Sequence, residues 1–254
     1  INQEIGNRVN TAINLINLGD VNTHLGHYTA AETYYQQSLA LNREIGNKDS
    51  IAFCLNGLGI VAVKLDNLVA AQDYYQQALT IWHEIGGKDG TAISLNGLGL
   101  VASRQGAYPA AETYYQQALT LYREMEAKSD MVGVLAELAA LRYHQRHIAL
   151  LPTLREALTL SLEVGAPPVI LHLLSTAARA LAREGKAADA AHLAGLIEVH
   201  PATPAEIRQD TLAALKSDLE KQLPAAVLAV YLAEGSALDL VETAQAQLAR
   251  LGTP

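Results

Sequence analysis

Basic side chains return at one place in the sequence about every 40 residues. This basic column consists of His24, Lys64, Arg104 and His144, and Arg183 follows after a step that is one residue shorter. A row of cations can hold a carboxylate or an acidic peptide through charge-assisted hydrogen bonds. Each member also falls in the last turn of a predicted helix, where a cation complements the helix dipole. The sequence leaves both interpretations open, a binding ladder and helix-end electrostatics.

Amide side chains form a second candidate set, Asn17, Asn56 and Asn96. An amide offers both donors and an acceptor, so it can bind the main chain of an extended peptide whatever the peptide's sequence. Asparagine has a poor helix propensity, so its recurrence inside helices needs a reason, although simple tolerance of exposure is the alternative.

Two helix-interior glycines, Gly57 and Gly97, directly follow two of these amides. Glycine is unfavourable in the interior of a helix, so its repetition predicts that something comes close to the backbone there, either a ligand or a neighbouring helix. Asp20 and Glu137 complete the set of candidate ligand-binding residues.

Patterns that would indicate catalysis, a metal or a cofactor are weak. The string GGKDGT at 86–91 lacks the glycine that a phosphate-binding loop needs five residues before its Gly-Lys pair. The pairs His24 with His27 and His144 with His147 lack a third ligand, and Cys54 has no histidine at a motif spacing. We therefore predict a non-catalytic protein without a cofactor or a bound metal.

Composition narrows the class of protein further. The formal charge is −8 over 254 residues, which argues against binding to nucleic acid. The longest nearly uncharged apolar run, 223–233, is about half of what a membrane-spanning helix requires. One cysteine permits no internal disulfide. We expect a soluble, cytoplasmic protein without a membrane partner.

A 40-residue repeat must position these side chains. The string YYQQ begins at residues 34, 74 and 114. Within each repeat, apolar residues recur at helical spacing, stop at a turn and resume, which predicts two amphipathic helices. Glycines that favour a left-handed helix end mark the predicted turn after the first helix, with Asp66 in that place in the second repeat. The glycines are Gly26, Gly106 and Gly185, and the second helices are predicted to end at Gly46, Gly86 and Gly165.

The residues that carry the period resemble those of the tetratricopeptide repeat (TPR). In the second repeat the matching residues are Leu55, Leu58, Gly59, Ala71, Tyr75 and Ala78. The resemblance implies an all-α fold, a right-handed α-α superhelix (TPR solenoid) with C-terminal capping helices. It also implies that the first helices line a concave groove, in which the candidate residues named above would meet a partner.

The period also predicts how the chain is divided. Residues 1–7 align with residues 41–47, so they are expected to end an upstream repeat. Thr203, Pro204 and Glu206 predict the capped start of a helix that runs to Leu223. The solenoid is predicted at 8–200, with a helical cap at 201–254 and repeats at about 8–47, 48–87, 88–127, 128–166 and 167–200.

Repeats of this length resemble those of kinesin light chains, peptide-pheromone receptors and the sensor regions of bacterial STAND-class signalling ATPases. The tail after residue 188 is similar to the C-terminal ends of bacterial STAND regulators. The resemblance implies a sensor domain of a larger signalling protein that binds a peptide, protein or small molecule in its groove and acts on upstream domains of the same chain. A constitutive TPR scaffold or co-chaperone-type adaptor that binds an extended peptide is the alternative.

Overall fold

The computed structural model describes the backbone of residues 2–252 and the side chains of residues 6–251. This part of the chain forms thirteen α-helices and contains no strand. The helices are α1 (Asn2–His24), α2 (Tyr28–Ile45), α3 (Lys48–Lys64), α4 (Leu68–Ile85), α5 (Lys88–Arg104), α6 (Tyr108–Glu124), α7 (Lys128–Gln145), α8 (Leu150–Val164), α9 (Pro167–Arg183), α10 (Ala187–Val199), α11 (Leu212–Glu220), α12 (Ala225–Ser236) and α13 (Leu240–Gly252).

The helices group into two compact units, unit 1 with α1–α6 and unit 2 with α7–α13. In unit 1, each odd-numbered helix packs against the even-numbered helix that follows it, and α2 and α4 pack against the next pair. The first helices α1, α3 and α5 are also neighbours. The rings of Tyr35, Tyr75 and Tyr115, the second tyrosine of each YYQQ string, are buried between the helices.

The turns follow the predicted glycine pattern, because a residue with a left-handed conformation ends each of the helices α1 to α9. In unit 1, Gly26 and Gly106 have φ of +76° and +77°, and Gly46 and Gly86 end the second helices with φ of +77° and +74°. Asp66 takes the same conformation with φ of +59°, as its place in the repeat predicts. Two further residues, Glu126 and Arg146, have a positive φ that the sequence did not predict.

Each of the first four repeats carries one ion pair between its first helix and the last turns of its second helix. The pairs are Arg8 with Glu44, Lys48 with Glu84, Lys88 with Glu124 and Lys128 with Glu163, with N to O distances of 2.8 to 2.9 Å. All of these side chains are about half exposed, so each pair contributes little to stability.

Unit 2 contains the pairs α7/α8 and α9/α10, followed by three helices that cover them. The helix α10 packs most closely on α12, while α13 packs on α8 and α9. At the α10/α12 crossing, Gly195 and Gly235 let the two backbones touch, because a Cβ on Gly195 would lie 2.1 Å from the Leu232 carbonyl oxygen. A Cβ on Gly235 would lie 2.0 Å from the His192 carbonyl oxygen.

The segment before α11 differs from its prediction. The Thr203 side chain does not cap the following helix, because its hydroxyl donates instead to the Ile197 carbonyl at 2.6 Å. A π-helical turn, Ile207–Thr211, leads into α11, which ends at Glu220 and not at Leu223. At the last helix Asp239 acts as a cap, since its Oδ1 accepts a hydrogen bond from the Glu242 N–H at 2.9 Å.

The N-terminal segment also differs from its prediction. Residues 1–7 are predicted to end the helix of an upstream repeat, so that a new helix would begin after them. Instead, α1 runs from Asn2 through Gly6 without a break. Ile1 lies outside the described residues. Gly6 lacks the left-handed φ of Gly46 because residues 2–7 continue the helical path and do not turn back. None of the described helices is both long enough and apolar enough to span a membrane.

Candidate functional site

Asn56 faces the protein interior, so the structure does not support its predicted role as a peptide clamp. Only 5% of the residue is exposed. Its Oδ1 accepts a 2.7 Å hydrogen bond from the Ser94 hydroxyl, and its Nδ2 lies 3.4 Å from the Gly90 carbonyl oxygen. Both partners lie on α5, so the Asn56 amide joins α3 to α5. The Asn56 amide therefore connects adjacent repeats.

Gly57 and Gly97 make room for tyrosine rings. A Cβ on Gly57 would lie 2.6 Å from Cζ of Tyr35, and one on Gly97 would lie 2.3 Å from Cζ of Tyr75. The sequence left open whether a ligand or a neighbouring helix comes close to the backbone at these two glycines. In the structure it is a neighbouring helix. The same rings also fill the space beside Gly19 and Gly59, so each tyrosine lies between two glycines.

The third amide, Asn17, belongs to a different column. One period of 40 residues separates it from Gly57, not from Asn56, and its side chain is exposed. The residue that corresponds to Asn56 is Ile16, which packs against the apolar core. Asn96 does share the column of Asn56, but its Oδ1 is buried without a hydrogen-bond partner. The three amides therefore do not form one row.

In unit 1 the basic column is brought together on three adjacent helices. His24, Lys64 and Arg104 are all exposed at the last turns of α1, α3 and α5. His24 donates from Nδ1 to the Asp20 carbonyl at 2.8 Å, and Arg104 donates to the Val63 carbonyl at 3.3 Å. Arg104 thus satisfies a carbonyl at the end of the preceding first helix, and the column combines helix-end contacts with exposed positive charge.

Asp20 has a structural partner. Its Oδ1 accepts a 2.6 Å hydrogen bond from the Tyr35 hydroxyl. Burial, together with this bond, raises the pKa of Tyr35 far above its usual value. The carboxylate therefore holds the outer end of the ring whose face packs on Gly57.

Unit 2 contains the remaining members of the basic column. His144 is exposed, and Arg183 repeats the contact of Arg104 by donating to the Tyr143 carbonyl at 3.0 Å. Burial lowers the pKa of His144, with further contributions from the charges of Arg179 and Arg183. Glu137 is half-buried in the middle of α7. The sequence missed Arg179, which has no basic counterpart one period earlier.

A cavity of about 720 Å³ lies between α4, α5 and α6 of unit 1. Trp82 forms part of its wall and packs on the backbone of Gly87 and Gly90, where added Cβ atoms would come within 2.4 and 2.1 Å of the indole. The indole therefore explains Gly87 and Gly90 of the string GGKDGT, and Trp82 stands where the preceding repeat has Asn42.

Cys54 is fully buried in the apolar core of unit 1. Burial raises the pKa of its thiol, which disfavours the nucleophilic thiolate. Among the described residues, no three His, Cys, Asp or Glu side chains converge in a way that could hold a metal ion.

The arrangement is that of an all-α helical-repeat protein, and comparison with known proteins specifies the repeat. A family model described as tetratricopeptide repeat matches residues 12–50, and a second model with the same description matches residues 50–124. Residues 12–124 are therefore tetratricopeptide repeats, as the period predicts. A search of curated proteins gave no significant match.

Two solved structures with a TM-score above 0.5 show the same fold. Two crystal structures of a Podosopora anserina putative kinesin light chain with nearly identical TPR-like repeats match with a TM-score of 0.55 at 13% identity. The matches cover 82% and 84% of this chain and 94% and 96% of those chains. BtubC (BKLC) from P. vanneervenii matches at a TM-score of 0.49 and 14% identity, covering 98% of this chain and 90% of its own. The predicted fold class, an all-α TPR solenoid, is confirmed.

Proposed function

We propose that this chain is a non-catalytic recognition module whose unit 1 binds an extended acidic segment of a partner protein along α1, α3 and α5. Tetratricopeptide repeats form protein-interaction modules and are typically non-catalytic. The observation that carries the proposal is the exposure of His24, Lys64 and Arg104 at the same place on three adjacent helices. The charges of Lys64 and Arg104 stand out on a chain with a net charge of −8, and together they favour an acidic partner.

The original set of groove residues is thereby reduced. Asn56, Gly57 and Gly97 act within the protein, so they are not proposed as ligand contacts. The exposed Asn17, the half-buried Asn96, and Glu137 with His144 in unit 2 stay in the proposal as candidate contacts.

A matched pair of variants tests the proposal. K64Q/R104Q removes two charges of the basic column, and K48Q/K88Q removes two charges from the opposite ends of the same helices. Binding of a fluorescein-labelled oligoglutamate is measured by anisotropy at fixed ionic strength, with an uncharged glycine-serine peptide as reference. We expect K64Q/R104Q to weaken binding of oligoglutamate about tenfold or more, since each lost charge-assisted bond contributes about 1.5–3 kcal/mol. Equal binding by the two variants would contradict the proposal.

We further propose that the module is the sensor of a larger signalling protein, in which a bound partner biases another domain. Support comes from one face of α1. Leu18 and Val21 are 44% and 54% exposed, whereas Leu58 and Val61, one repeat later, are each 1% exposed. In α3 this face receives the preceding repeat, so the exposed face of α1 is suited to receive a further element.

A binding comparison with a longer form of the protein tests this role. Any coupling requires that the partner bind the two states of the other domain with different affinities. A form of the protein that includes an adjoining domain should bind oligoglutamate with an affinity that depends on the state of that domain. The same affinity in every state would favour the constitutive scaffold.

A further inference from the structure

A cavity of about 400 Å³ in unit 2 brings together the face of one tyrosine and two arginines. Its walls come from α7, α9, α11 and the residues just after α11. The Arg179 guanidinium lies 4.4 Å from the centroid of the Tyr143 ring, and the Arg183 guanidinium lies 3.9 Å from it. Both distances are within the range of a cation–π interaction, so the ring helps to hold two like charges close together.

Neither guanidinium is neutralised by the protein. Among the side chains described at 6–251, Arg179 and Arg183 form no ion pair with a carboxylate. One carboxylate lines the cavity, that of Asp218, and it forms an ion pair with Lys221 at 2.8 Å. The lowered pKa of His144 has the charges of Arg179 and Arg183 among its causes, which indicates a positive local potential.

Structural roles account for only one of the two arginines. Arg183 donates to the Tyr143 carbonyl, as Arg104 donates to Val63 in unit 1. Arg179 makes no such hydrogen bond among the described residues, and the residue at the same place in the preceding repeat, 39 residues earlier, is the uncharged Ala140. The half-buried Arg179 thus keeps its donors available at a wall of the cavity, beside the apolar side chains of Ala182 and Leu215.

We propose that this cavity, the Tyr143/Arg179/Arg183 pocket, binds the oxyanion of a ligand, a carboxylate or phosphate group. Guanidinium groups match such groups in shape and donate two parallel hydrogen bonds. Apolar walls strengthen the attraction by lowering the local dielectric constant. A volume of about 400 Å³ is within the range of small-molecule pockets, so the pocket accommodates either a free small anion or a carboxylate of a bound peptide.

Calorimetric titration of the whole chain tests the pocket. The probes are inorganic phosphate and succinate at constant ionic strength, with sodium chloride as the reference salt. A glycine-serine hexapeptide with a free C-terminal carboxylate is compared with its C-terminal amide to distinguish a peptide source from a free anion. We expect saturable binding of phosphate or succinate with a dissociation constant in the millimolar range or lower. Binding of the carboxylate peptide as well would indicate a peptide source, and binding of the free anions alone would indicate a small anion.

Arg179→Gln is the informative variant because Arg179 makes no hydrogen bond within the described chain. Its control is Arg208→Gln, which removes the same charge from an arginine of unit 2 that donates to the His200 carbonyl and is not part of the pocket. We expect Arg179→Gln to weaken oxyanion binding at least about tenfold and Arg208→Gln to leave it unchanged.

Two results would overturn the pocket. One is the absence of saturable binding of phosphate and succinate to the unmodified chain, a measurement that depends on no variant. The other is equal binding by the two variants when circular dichroism shows both to be folded. The proposed function of unit 1 is tested by separate residues, Lys64 and Arg104, so either proposal can fail while the other stands.

Discussion

The ring of Tyr35 in α2 lies against the backbone of Gly57 in α3, so closely that a methyl group at Gly57 would sit 2.6 Å from the ring. The ring is 2% exposed, and its hydroxyl is held by Asp20 at 2.6 Å, so it cannot simply swing away. The close contact therefore connects one repeat to the next.

Gly57→Ala should lower the free energy of unfolding by about 1–3 kcal/mol, because the added methyl overpacks a buried site. Urea denaturation measures the change. The control is Gly133→Ala in α7, where no atom lies within 4 Å of the added Cβ. That variant should be more stable than the unmodified chain by about 0.5–1 kcal/mol, since alanine is the better helix former. A stabilised Gly57→Ala would show that the ring moves freely.

Gly195→Ala should be more damaging than Gly57→Ala. Its Cβ would meet the Leu232 carbonyl oxygen at 2.1 Å, and a backbone atom cannot leave by changing rotamer. The helices α10 and α12 must therefore separate, at a cost of about 3 kcal/mol or more. Hydrogen exchange should show loss of protection in α12, while unit 1 keeps its protection. Protection of α12 equal to that in Gly133→Ala would contradict this prediction.

Ser94→Ala should destabilise unit 1 by about 1–3 kcal/mol, because it leaves the buried Oδ1 of Asn56 without its donor. The Ser94 hydroxyl also lies 2.8 Å from the Gly90 carbonyl, so in Asn56→Ala the serine keeps a partner. A double-mutant cycle by urea denaturation should give a double variant less destabilised than the sum of the two single changes. Additive effects would show that the amide and the hydroxyl do not interact.

The sequence predicted the parts of unit 1 that repeat. A period of 40 residues locates the buried tyrosines and the helix-ending glycines because each position is seen several times. The period also predicted the left-handed backbone conformation of Asp66, since glycine stands at that place in neighbouring repeats.

The sequence failed where the partner of a residue is remote or has no repeat. Asn56 was predicted to contact a peptide or simply to tolerate exposure, but its side chain is buried and its partner Ser94 is 38 residues away. The grouping of Asn17 with Asn56 was wrong by one residue, which on a helix changes the face. The Gly195/Gly235 contact and Arg179 in unit 2 have no periodic counterparts that could reveal them.

Asp66→Gly should raise the free energy of unfolding by about 0.5–1 kcal/mol, because Asp66 adopts a positive φ that costs an ordinary residue energy. Aspartate also places a negative charge at the C-terminal end of α3, where the helix dipole disfavours it. Together these two gains in stability are larger than the loss that arises because glycine gives the unfolded chain more conformational entropy. The reverse exchange, Gly26→Asp, occupies the same turn one repeat earlier and should destabilise by a similar amount. Urea denaturation measures the free energy of unfolding of both variants. A loss of stability in Asp66→Gly would mean that the aspartate side chain stabilises this turn.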